Sequence, residues 1–108
     1  VTKKARDVKK TLLAKGFREE SGKHHIYYWF FLDNKKTSVN TYFSHNAADL
    51  NDFILSQVSK QLKFEKKDHL IQFLDCHIDQ NAYTKMLIDG NHVRREVLTV
   101  PVGDDNKI

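Results

Sequence analysis

Ala5, Val8 and Leu12 recur at three- and four-residue spacing, with Leu13 beside them. That narrow apolar stripe predicts an amphipathic helix over residues 2–15. Gly16 stands where a left-handed C-terminal cap is wanted, and Phe17 can fold back on the helix. The period then changes to two. Strands are expected at 17–20, 24–32 and 37–44, separated by turns at 21–23 and 33–36. The second is dense in the aromatic and β-branched types that strands prefer. In the third, Val39, Thr41 and Phe43 share one face and Ser38, Asn40 and Tyr42 the other, so one face is drier. A second helix is expected from Asn46, with Asp49 three positions on as in a capping box and Leu50, Phe53, Ile54, Val58 and Leu62 as its stripe.

Beyond residue 64 a helix over 68–78 carries Leu70, Ile71, Phe73, Leu74 and Ile78. Residues 79–88, with Tyr83, Met86 and Leu87, continue that helix or start another, ended by Gly90. A late strand over 97–102, stopped by Pro101, and a frayed tail complete the expectation. The order helix, three strands, helix predicts an α+β fold. Its core, over 1–64, is a three-stranded antiparallel sheet with two helices on one face. Residues 65–108 form a C-terminal helical extension.

The second strand departs from simple alternation. Ile26, Tyr28, Phe30 and Leu32 lie on one face, and His25, Tyr27, Trp29 and Phe31 on the other. A sheet covered by helices on one side should keep a polar face; this strand has two aromatic ones. The second face calls for a cover: residues 65–108, a second copy forming a homodimer, a partner protein, or stacked bases. The apolar stripes of 65–108 need a home, which makes that segment or self-association the expected cover.

At 108 residues with 40% hydrophobic content, the chain has material for one domain with one modest core. No apolar run approaches the roughly 18–20 residues of a membrane span, so no membrane partner is expected. The first residues, VTKKARDVKK, lack the apolar core of a secretory signal. A single cysteine, Cys76, rules out an internal disulfide and suits a reducing cytoplasm, the expected location. In its apolar helical surroundings Cys76 is expected to be a buried, inert thiol. The net charge of +4 is uneven, because residues 1–45 hold ten Lys/Arg against four Asp/Glu and the remainder eight against ten. Such a basic half is the footprint of a surface that meets nucleic acid, or simply a solvated lysine-rich face.

Six histidines are present, but none falls in an HxH or HExxH spacing, and no cysteine pair exists. No metal or other cofactor is expected. A histidine beside lysines can still act on RNA, because ribose supplies its own nucleophile. A general base with a pKa near 7 removes the 2′-hydroxyl proton while cations stabilise charge on the phosphate. His24, Lys23, Lys15 and Arg18 are the candidates, with His24 as base and the three cations binding RNA. A histidine at a strand start is also commonly just a surface residue.

These residues carry a family likeness. "LLAKGFREESGKHHIYYW" resembles the signature of HicA-type toxins of toxin–antitoxin systems, in which a helix ends in glycine and an aromatic, and a Gly-Ser-His turn leads into an apolar strand. Gly16-Phe17 and Gly22-Lys23-His24 stand at those features. "YFSHNAADLNDFILSQVSKQL" looks like the family's third strand and terminal helix, with His45 at a family histidine. Lys23 replaces the serine, and Phe43 the usual proline. The resemblance, over about residues 5–64, implies a double-stranded-RNA-binding-like fold and an mRNA interferase, a metal-independent endoribonuclease with His24 as its catalytic histidine. It also implies a HicB-like antitoxin as partner. The alternatives are a non-catalytic RNA-binding module of the same fold, and a protein-interaction or dimerisation domain using the aromatic strand or the extension.

Overall fold

A computed structural model describes residues 2–94. The expected strand at 97–102 and the tail lie outside them. Lys3–Lys4 form a two-residue strand, β1, paired antiparallel with β5 (Asp49–Leu50). Helix α1 (Ala5–Ala14) therefore begins three residues later than its pattern predicts, and buries Ala5, Val8 and Leu12 while Leu13 faces solvent. Gly16 leaves the helix with φ +97°, and a Cβ there would come within 3.0 Å of the Phe30 ring. The backbone favours glycine at that position, and a side chain there would also have to displace the Gln80 amide and crowd the Phe30 ring.

The sheet is β2 (Phe17–Ser21), β3 (His25–Leu32) and β4 (Lys35–Ser44), antiparallel and in that order. Asp33 and Asn34, with φ of 51° and 67°, make a two-residue turn in which Leu32 faces Lys35. Two left-handed residues in succession match the twist of the flanking strands, so β4 starts two positions before the expected strand. Its register slips once: Trp29 faces Asn40, whereas Phe31 faces Lys36. Thr37 occupies the irregularity and donates its hydroxyl to the Phe30 carbonyl.

Helix α2 (Asp52–Gln61) is capped by Asn51, whose side chain accepts from the Ile54 amide at 3.0 Å, and not by Asn46. The phase of its buried face moves accordingly. Leu55, Val58 and Leu62 are buried, and Phe53, expected in the core, is 70% exposed. Residues 65–94 hold two separate helices, α3 (Lys67–Leu74) and α4 (Gln80–Asp89), the second capped by Asp79. Helices α2, α3 and α4 each end in a residue with left-handed φ, namely Lys63, Cys76 and Asn91. The next amide in each case bonds back to a carbonyl of the last turn: Phe64 to Ser59, His77 to Gln72, and His92 to Leu87. Cys76 is therefore an exposed cap residue, which corrects the buried thiol expected from its neighbours.

The molecule is thus an α+β structure with a three-stranded antiparallel sheet and four helices among the described residues. The helices bury their faces with the inner sheet face in one cluster, to which α3 and α4 bring Leu70, Phe73, Leu74, Tyr83 and Leu87. Tyr83 is its hub. Its ring lies 4.7 Å from Phe73, 5.2 Å from Phe64, 5.3 Å from Phe30 and 5.9 Å from Phe17, and its hydroxyl donates to the Leu62 carbonyl at 2.8 Å. Helices α3 and α4 extend the core on the inner side. They do not supply the cover expected for the outer face.

Candidate functional site

His24 lies in the turn between β2 and β3, not in the strand, which starts at His25. Alternation along β3 therefore does not assign it a face; it is exposed, as is Lys23. The turn is held in place on both sides of Gly22. The Gly22 amide donates to the His25 carbonyl at 2.7 Å, and the Gly22 carbonyl lies 3.0 Å from Nε2 of His45. Since a carbonyl can only accept, this contact selects the His45 tautomer with a proton on Nε2. A Cβ on Gly22 would come within 3.0 Å of the Tyr27 ring, so the glycine lets the turn lie against that ring. Ser44, the last residue of β4, pairs with His25 and brings His45 within reach.

The four residues singled out from the sequence do not converge. Lys23 and His24 are neighbours in the turn. Arg18 faces Trp29 across the β2–β3 ladder, well along the strand, with its guanidinium 4.1 Å over the Phe31 ring and 2.5 Å from the Asn34 side-chain oxygen. Lys15 is buried, and this corrects its assignment to RNA contact. Its ammonium donates to the Phe73 carbonyl and, at 2.8 Å, to the Ile78 carbonyl, and sits 4.5 Å over the Phe73 ring. The C-terminal end of α3 carries partial negative charge and carbonyls without helical partners. Lys15 satisfies both needs from the end of α1.

The outer sheet face begins at this turn. His25 packs edge-on to Tyr42 at 4.9 Å, Tyr42 lies 5.5 Å from Tyr27, and Tyr27 lies roughly parallel to Trp29 at 6.4 Å. These rings are half-buried, apart from the exposed Tyr42. Further along, Lys36 stands 4.2 Å over the Trp29 ring and pairs with Glu20 at 3.0 Å. Hydrogen bonding and attraction from Lys36 hold the Glu20 carboxyl below the usual carboxylate range, with a smaller contribution from Trp29. The buried Trp29 Nε1–H nevertheless has no hydrogen bond of good geometry among the described residues. Its influence on Glu20 is best read as a misaligned dipole. His45, Tyr42 and Lys36 are the residues that sequence reasoning did not assign to the site. Tyr42 and Lys36 share the outward parity of β4 with Asn40, the one signal that could have found them.

A cleft lined by Leu32, Lys36, Ser38 and Val93 lies at the opposite end of the sheet from His24. The candidate turn is instead an open surface, suited to a polymer rather than to an enclosed small molecule. Among the described residues, no three His, Cys, Asp or Glu side chains converge to hold a metal, and no helix is long and apolar enough to cross a membrane. Compared with known protein families, curated proteins and solved structures, the chain has no match.

Proposed function

We propose that the protein is a metal-independent endoribonuclease of the HicA toxin type, with a double-stranded-RNA-binding-like core and with His24 as the general base. One observation carries the reading: an exposed histidine sits beside a lysine on a turn whose glycine is fastened through both its amide and its carbonyl. A general base contributes only when its position is fixed relative to the proton it takes. In the step proposed, His24 accepts the 2′-hydroxyl proton and O2′ attacks the adjacent phosphorus. The bond to the 5′-oxygen breaks, a 2′,3′-cyclic phosphate forms, and the leaving oxygen takes a proton from water. Lys23 is the phosphate contact, and His45 is a positioning residue for the turn. A HicB-like antitoxin is the protein partner this reading calls for.

The test is cleavage of RNA by purified protein. His24→Ala should reduce cleavage by about 100-fold or more and leave thermal unfolding unchanged, because the side chain is exposed. Cleavage equal to the parent's would remove His24 from its role. RNA that stays intact with the parent protein, yet binds with steep salt dependence, selects a non-catalytic RNA-binding module instead.

A further inference from the structure

We infer that the outer face of the sheet is a stacking platform for unpaired RNA bases, leading a single strand to the His24 turn. The inference rests on the proposed RNA-cleaving role for its choice of polymer and deepens it by naming the substrate class.

The face has two halves. Nearest the turn are His25, Tyr27 and Tyr42, packed against one another, with no cation over their rings among the described residues. Farther along are Trp29 and Phe31, each with a cation over its ring, Lys36 and Arg18 respectively. Alternate residues of a strand lie about 6.6 Å apart, so His25 to Phe31 spans about 20 Å. That is room for the two or three bases that sheet-borne aromatics of RNA-binding folds stack. Uncapped rings offer π-faces to bases, while Lys36 and Arg18 lie within side-chain reach of the phosphates between them. The turn adjoins the uncapped half directly, since Gly22 is packed against Tyr27.

A duplex would not use such a surface. Its bases are already stacked on one another, and its grooves present edges rather than faces. A second copy is also a poor occupant. Two-fold pairing of this face would set a rim carrying Arg18, Lys36 and Lys23 against an equally basic rim, with Glu20 offsetting only Lys36. A polyanion with exposed bases complements both the rings and their rim.

The experiment measures fluorescence anisotropy of a short labelled RNA with the His24→Ala protein, which leaves the strand intact. Unpaired RNA should bind about ten-fold or more tighter than the same sequence as a duplex. Tyr42→Ala should weaken that binding by about ten-fold, whereas Tyr42→Phe should keep it, because the ring and not the hydroxyl is used. Tyr42 is 42% exposed, so its removal leaves the core intact. Equal or tighter binding of the duplex overturns the inference, as does indifference to Tyr42→Ala. So does a dimer that Tyr42→Ala converts to monomer, for then the face belongs to a second copy. The two proposals fail separately. Tyr42-dependent binding of RNA that the parent never cleaves supports the platform and overturns the catalytic role. Cleavage that depends on His24 but is equal on duplex and unaffected by Tyr42→Ala does the reverse.

Discussion

Along β3, Tyr28 and Phe30 are 1% and 0% exposed, while Tyr27, Trp29 and Phe31 on the other face stay half-buried. The two sets have nearly the same chemistry. On the inner side, rings meet rings, and each buried hydroxyl has a partner: Tyr28 donates to Glu19 and Tyr83 to the Leu62 carbonyl. Burial pushes both hydroxyls above the usual tyrosine range, with the Glu19 carboxylate adding to the effect at Tyr28. On the outer side, rings also meet one another, but Trp29 and Phe31 lie under the cations of Lys36 and Arg18. Aromatic content therefore does not mark the core. The helices decide which face becomes interior, and the other face is kept soluble by charges laid over it.

The contrast breaks most visibly in stability. Phe30→Ala should cost about 3–5 kcal/mol in denaturant unfolding, since it opens a cavity beside Phe17 and Tyr83. Tyr27→Ala, one strand face away, should cost no more than about 1 kcal/mol; equal losses would abolish the distinction between the faces. Lys15→Ala comes next, at about 1–3 kcal/mol, because it takes from the Ile78 carbonyl its side-chain donor and leaves the Phe73 carbonyl only the weaker Cys76 amide contact. The salt dependence of RNA binding should not change with it, and a shallower slope would return Lys15 to the binding surface. The smallest effect lies on the outer face and is a pH effect. Glu20 is held below the usual carboxylate range, so its pairing with Lys36 is complete above that range and is lost as pH falls through the lowered value. Trp29 fluorescence, with Lys36 over the ring, should follow that titration and lose it in Glu20→Gln. An acid profile identical in both proteins would rule out the coupling.

Local pattern was enough for α1, the three strands of the sheet and the cap at Gly16, because period and turn chemistry act over a few residues. It was not enough where distant segments compete. The Asn46–Asp49 spacing resembles a cap, but Leu50 and Asp49 are drawn into pairing with Lys3 and Lys4. The helix therefore starts at Asp52, capped by Asn51, and turns Phe53 outward. Lys15 reads as one more basic residue until the last turn of α3 and the segment after it, some sixty positions later, offer it the Phe73 and Ile78 carbonyls. The stripes of 65–94 announced that they needed burial, but nothing local could say against which face. At the site, the His24 turn could be found from its residues, whereas the His45 contact depends on β4 returning antiparallel beside β3.

The three-stranded sheet connects neighbours in sequence through turns of two and three residues. Contacts so short-ranged close with little loss of chain entropy and form early in folding. The Tyr83 hub is the opposite case. During synthesis the sheet can assemble while residues near 83 are still inside or just leaving the ribosome, with Phe17, Phe30 and Phe64 lacking the ring that joins them. In that interval the inner face is covered by α1 alone while the outer face is open, so the nascent chain shows more aromatic surface than the finished fold does.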